Sequence, residues 1–333
     1  MVLNKIRRLG TVVFSVGALS LGAGLLLHSA HAESAYPKQT ITIVDGFAPG
    51  GSTDVLARIL AEEVSQSLNQ PVIINNRAGA GGMVATSHVA RSAPDGYTLL
   101  LGTIGPIVVN PHLMDDLSYK PLEDLVPVIS LVDVANVAVV NSEHPAQSVE
   151  DLIQMAKENP HEIDFGSAGI GTTAHLAGEV FQQEADVEFT HVPYRGGAPA
   201  ITGLLAGETD LIFSSIPTAV DHVNQGTLRA LAVTGDMELE TLPGVPPMKE
   251  AGLAEYKLPS WYGIFAPKGT PTEVIELLQN EFQAALEKEK TQKLLISLGM
   301  VPNPVLSEQF SKQVKDDWDY WEGILEVADI NLE

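Results

Sequence analysis

The 333-residue chain carries 42 acidic against 19 basic side chains, a formal net charge of −23, and it contains no cysteine. That charge repels nucleic acid and anionic lipid, and the lack of cysteine removes disulfides, thiolate nucleophiles, Cys-ligated zinc and an acylated cysteine anchor. Stability must come from apolar burial, for which about 300 residues suffice in two lobes of roughly 100–200 residues each.

In chain order, Lys5, Arg7 and Arg8 precede an apolar run from Val12 to Leu27 that ends at Ala30-His31-Ala32. This is the grammar of a secretory signal peptide cleaved after Ala32. The run holds Ser and Gly and is short for a membrane span, and no second apolar stretch of ~20 residues follows. Its removal takes away three basic residues and no acidic ones, leaving a mature charge of −26. A solvated acidic coat keeps an exported protein soluble. An anionic ligand would then need positive potential supplied locally.

Short apolar runs alternate with helical patterns through most of the mature chain. Strands are expected at Ile41 to Val44, Val72 to Asn75, Tyr97 to Leu101 and Val137 to Val140, with a helix over Ser52 to Leu68. A helix from Ser148 to Glu158, a strand near Ile163 to Phe165 and a helix from Thr173 to Gln183 follow. Further strands fall at Glu188 to Val192, Leu211 to Phe213, Leu228 to Val233 and Trp261 to Phe265. The C-terminal part turns helical at Thr272 to Glu287, Thr291 to Leu298 and Ser307 to Ala328. Such alternation implies an α/β fold with parallel-rich sheets flanked by helices.

Two strand-to-helix loops carry the chemistry. Phe47-Ala48-Pro49-Gly50-Gly51-Ser52-Thr53-Asp54 ends the first strand, where glycines admit close backbone approach and a helix N-terminus offers free N–H groups. Asp54 is either part of the ligand site or a first-turn carboxylate that stabilises its own helix. The second loop, Phe165 to His175, repeats the design and adds the hydroxyls of Ser167, Thr172 and Thr173. Two such cradles can hold an anion without a full positive charge.

Other motifs are weaker. Gly169-x-Gly171-x-x-Ala174 fits a dinucleotide fingerprint, but it does not lie at the first strand of a mononucleotide-binding unit and nicotinamide cofactor is not expected outside the cytoplasm. His175 and Glu179 have i,i+4 spacing, which suits a helix pair better than a metal site with no third ligand. No H-E-x-x-H, phosphate-binding P-loop or G-x-S-x-G elbow is present.

Read together, these loops resemble the solute-binding receptors of tripartite tricarboxylate transporters, the Bug family. The resemblance runs through Tyr36-Pro37, Ile41 to Val44, Phe47 to Asp54, Asn76 to Gly82, Ala93 to Leu100, Gly166 to Gly178, Val192 to Gly196, Gly226 to Thr234 and Trp261 to Gly263. It implies a two-lobed, type II-like periplasmic-binding-protein fold that closes on a small carboxylate in the interlobe cleft. Residues 33–136 and 258–333 would form one lobe, and 137–257 the other. The residues it points to are Ala48, Gly50, Gly51, Asp54, Thr103, Ser167, Gly169, Thr172, His175 and Tyr194, with Arg77 and Arg195 open as contacts to a second carboxylate.

The resemblance also implies a monomeric periplasmic receptor without catalytic residues, cofactor or metal. It would deliver a mono-, di- or tricarboxylate to integral membrane transporter subunits and bind no nucleic acid. A sensor subunit for a membrane kinase and a periplasmic enzyme on the same fold are the alternatives, since one architecture hosts many functions. The chain departs from the family at the acidic turn Gly235 to Glu240, where a basic, serine-rich turn is common, at Ala78 in place of proline, and at Ala85 in place of glycine. The leader makes the first prediction: N-terminal sequencing of periplasmic protein should start at Glu33, and recovery of intact Met1 or of membrane-bound protein would overturn it.

Overall fold

A computed structural model describes residues 36–328 apart from Asp115, 236–238, Lys257 and Pro259. The expected leader, and Asp236 and Glu238 of the acidic turn, lie outside the described residues. Eleven strands are present among them: β1 (Ile41–Asp45), β2 (Val72–Asn76), β3 (Thr98–Thr103), β4 (Leu125–Val134), β5 (Asn136–Asn141), β6 (Asp164–Ser167), β7 (Thr190–Pro193), β8 (Leu211–Ser215), β9 (Leu228–Val233), β10 (Trp261–Pro267) and β11 (Met300–Leu306). They form two sheets, ordered β11-β4-β10-β3-β1-β2 and β7-β6-β8-β5-β9.

Both sheets are mixed, and the chain path explains why. β1 pairs in parallel with β2 and β3, and β6 with β7 and β8, because helical crossovers return the chain to start each next strand in the same sense. Antiparallel pairing falls on the strands next to the crossings: β10 with β3 and β4, β11 with β4, and β5 with β8 and β9. β4 passes through the single residue Ala135 into β5, so the chain leaves one sheet and enters the other almost without a turn.

In the first sheet, Ile41, Ile43, Leu99 and Leu101 pack with Leu56, Leu60 and Val64 of helix Ser52–Leu68 and with Leu278 and Phe282 of helix Thr272–Glu287. The 3.6-residue spacing of Leu56, Leu60 and Val64 places them on one stripe, and burying each such side chain contributes about 1.5–3 kcal/mol. Phe310 of helix Ser307–Ala328 is fully buried and packs edge-on against Trp261. Gly263 makes room for it, since a Cβ there would stand 2.5 Å from the Phe310 ring. This anchors β10, which is buried along its whole length and carries Tyr262 to the space between the sheets.

The return crossing is tied to the outward one by the Val134 N–H, which donates to the Ser260 carbonyl at 3.1 Å. Beside it, the start of β5 is fixed against the end of β9: the Asn136 N–H donates to Thr234 Oγ1 at 2.9 Å, and the Thr234 N–H donates to the Asn136 carbonyl at 2.8 Å. Among the described residues no helix is long and apolar enough to cross a membrane.

Candidate ligand-binding site

A small cavity of about 40 Å³ is lined by residues from both sheets. Four helices begin on it. Ser52 and Thr53 open helix Ser52–Leu68, Thr172 caps Thr173–Ala185, Gly197 opens Gly197–Ala206, and Ser215 precedes Ile216–Asn224. Each N-terminus carries roughly half an elementary positive charge in its unpaired N–H groups. No Lys, Arg, His, Asp or Glu is found among the described residues that line it. Tyr262 lines the cavity with its hydroxyl pushed up to about 12 by burial, so it acts as a neutral group.

The first loop is braced by two carboxylates underneath it. Gly50 takes a left-handed φ of 84°, and its N–H donates to Asp54 Oδ2 at 3.0 Å. Asp54 also accepts from Asn76 Nδ2 at 3.0 Å and from Arg58 at 2.8 Å through two nitrogens. Burial opposes its charge, yet the hydrogen bonds from Arg58, Gly50 and Asn76 prevail and hold its pKa below the usual range. Asp45, fully buried at the end of β1, accepts from Thr53 Oγ1, the Phe47 N–H and Asn76 Nδ2 at 3.1, 3.2 and 3.1 Å. Its pKa is pushed up to about 7, mainly by burial and also by the neighbouring Asp54 charge, against those hydrogen bonds.

The second loop is self-contained. Thr172 caps its helix: its Oγ1 donates to the Gly169 carbonyl at 2.7 Å and accepts the His175 N–H at 3.4 Å. Ser167 is fully buried, its Oγ 2.7 Å from His191 Nε2 and accepting the Gly169 N–H at 3.1 Å. His175 Nδ1 accepts the Gly171 N–H at 3.1 Å, and its Nε2 lies 3.4 Å from Glu179. The rings of His175 and His191 stack with centroids 4.0 Å apart. His191 is pushed down to about 3, first by burial and then by His175. A stacked layer of rings thus backs the loop.

Across the cleft the two loops already touch. The Ala48 N–H donates to the Arg195 carbonyl at 3.2 Å, and Ser215 Oγ donates to Ser52 Oγ at 2.9 Å, which in turn lies 2.7 Å from the Tyr262 hydroxyl. Glycines make this approach possible: a Cβ on Gly81 would stand 2.1 Å from the Ile170 carbonyl oxygen, and one on Gly105 would stand 2.4 Å from that of Gly171.

Of the sequence-named residues, Gly51, Thr103 and Thr172 line the cavity, and Gly169 and Tyr194 line a neighbouring one that shares Phe47 and Ala168 with it. Ala48, Gly50, Asp54, Ser167 and His175 line neither; their polar groups shape the loops through the bonds just given. Arg77 is exposed, and exposed Arg195 edges the neighbouring cavity. Sequence reasoning missed Asn136, Ser215 and His191. The lone Asn136 ahead of the apolar run Val137 to Val140 was a signal for the first; the others depend on pairing between distant segments. Among the described residues no cluster of His, Asp and Glu could hold a metal ion.

A family profile described as the tripartite tricarboxylate transporter family receptor matches residues 56–331. Protein BugT of Bordetella pertussis is 37% identical over 298 residues, covering 89% of this chain and 91% of BugT. Among solved structures, an R. palustris protein with adipate is 34% identical with a TM-score of 0.86, covering 89% of this chain and 99% of that one. MatC from Rhodopseudomonas palustris with bound malate is 29% identical with a TM-score of 0.82, covering 87% of this chain and 100% of MatC.

Two predictions follow from the geometry. Folded Asp45 keeps its proton up to about pH 7 while the unfolded carboxyl releases it near 3.8, so its contribution to stability is fully present below about pH 4 and is lost as pH rises through 7. Denaturant midpoints should therefore favour Asp45→Asn over the parent increasingly between pH 4 and 8, and a difference independent of pH would refute the raised pKa. Gly105 lies in a helical turn, Gly105–Val109, whose conformation alanine accepts, so Gly105→Ala should leave the unliganded fold intact. Its methyl collides only with the apposed Gly171, and overpacking of about 1–3 kcal/mol should weaken ligand binding roughly five- to a hundredfold by calorimetry. Unchanged affinity would mean that the bound state does not close to this contact.

Proposed function

Because the chain belongs to the tripartite tricarboxylate transporter receptor family, whose Bug-type members are periplasmic solute-binding proteins, we propose that it captures a small carboxylate between two lobes and hands it unchanged to integral membrane transporter subunits. The lobes are residues 33–136 with 258–333, and 137–257, and the protein works as a periplasmic monomer after loss of residues 1–32. Adipate and malate, named for two related structures, are both short dicarboxylates and support a small mono-, di- or tricarboxylate as the ligand.

The observation that carries this reading is the convergence of four helix N-termini on one cavity without an ionised side chain. Oriented N–H groups and hydroxyls favour an anion and gain strength as closure excludes water. The positive ends of the helix dipoles disfavour a cation. No serine with an activating base faces the cavity, since Ser167 is buried behind the second loop with His191; capture and release need no such group.

Thermal-shift measurements with acetate, succinate, malate, adipate, citrate and benzoate test the proposal. An acid present at about 100 times its dissociation constant should add about 2.7 kcal/mol of stability, and should be recovered chemically unchanged. Gly51→Val places a branched side chain at the cavity wall, where the surrounding backbone leaves ordinary contact distance, 3.5 Å to the Ala48 carbonyl oxygen. The fold should survive while the shift disappears. If none of the acids stabilises the protein, or if Gly51→Val responds like the parent, the carboxylate site proposed at the first loop is wrong.

A further inference from the structure

We infer that Asn136 is a specificity-determining contact, its side-chain amide donating to an oxygen of the bound acid at the point where the chain crosses between the two sheets. The inference deepens the carboxylate reading above and rests on it. Asn136 is the first residue of β5, only 1% exposed, and it lines the cavity. Its Nδ2 has no hydrogen-bond partner. A buried amide donor left unpaired is destabilising, so its place in the wall is explained most directly by a partner that arrives from outside the chain.

The backbone of Asn136 is fully engaged elsewhere. Its N–H and carbonyl both bond to Thr234 just after β9, and in the sheet it stands opposite Ser215, which reaches Ser52 on the far side of the cleft. The fold therefore specifies where this residue sits without using its amide. Since no charged side chain lines the cavity, no other protein group competes for the donor as an anion would. Nδ2 carries donors only, so the matching ligand group is an acceptor, as a carboxylate oxygen provides, and an ammonium, which has none, cannot pair with it. One residue then both reads the ligand and stands at the crossing between the two sheets.

Asn136→Leu and Asn136→Asp, both close in shape to the parent, test this with the same six acids as probes. Asn136→Leu removes an unpaired buried donor, so its unliganded melting temperature should equal or exceed the parent's, while the dissociation constant of whichever acid binds the parent rises roughly ten- to a hundredfold. Asn136→Asp, measured at pH 8, should lose more than a hundredfold because a carboxylate would face the ligand in a neutral cavity; it also carries the affinity test if the leucine variant does not fold. A parent stabilised by an acid that both variants bind within threefold overturns the inference and leaves the carboxylate reading standing. So does an Asn136→Leu protein that melts lower yet binds normally, which would assign the amide a structural role. No stabilisation of the parent by any of the acids overturns the carboxylate reading itself, and this inference with it.

Discussion

One constraint governs the proposed capture of an anion: a chain of net charge −23 must then present positive potential at one place. A buried arginine would supply it, at a desolvation cost of several kcal/mol whenever the site stood empty. Here the helix N-termini of Ser52–Leu68, Thr173–Ala185, Gly197–Ala206 and Ile216–Asn224 take that role instead. Their N–H groups are unpaired by the geometry of any α-helix, so the potential comes from folding rather than from a charge that must be kept buried. The acidic groups nearest the first loop are restrained accordingly. Asp54 is held in an ion pair with Arg58 that points away from the cavity lining, and the pKa of Asp45 is raised by its burial.

The two sheets are brought together by small residues and crossing strands. Gly81 and Gly105 meet carbonyl groups of the second loop at distances that no side chain would allow, and the Ala48 to Arg195 backbone bond closes the same seam. Behind these contacts one apolar cluster runs through both sheets, with Val44, Leu100, Trp261 and Phe265 on one side and Ala138, Val140, Phe165 and Leu231 on the other. The Asn136 and Thr234 hydrogen bonds fix the start of β5 against the end of β9.

Much of this was legible in the sequence because it is local. The strand Leu228–Val233 and the helices Thr272–Glu287 and Ser307–Ala328 fall where apolar spacing put them, and glycines ahead of helical patterns marked both loops. β4 was missed because Leu125–Val134 contains Pro127, lacks clean alternation and is sandwiched between β10 and β11. β11 was hidden by Pro302 and Pro304, which a strand tolerates here because it lies at a sheet edge. Helices Gly197–Ala206 and Ile216–Asn224 also escaped reading, and with them two of the four N-termini at the cavity. The sorting of site residues was equally non-local. Gly51, Thr103 and Thr172 reach the cavity, whereas Ser167 and His175 turn into the support behind the loop because β7 brings His191 beside them.

That support explains how neutral groups can be selective. A hydroxyl or an N–H discriminates by position, and position is only as good as the packing that fixes it. Phe165, His175 and His191 form a stack directly beneath the second loop, and both imidazoles bond to it, His191 to Ser167 and His175 to the Gly171 N–H. Burial keeps His191 uncharged, so this ring stiffens the loop without adding a positive charge of its own. With dipoles supplying modest attraction and the stack supplying geometry, affinity comes from fit. For a receptor that must surrender its cargo, this matters more than maximal tightness: neutral contacts at fixed positions hold a ligand only while its shape matches them, whereas a buried ion pair grips any partner of opposite charge.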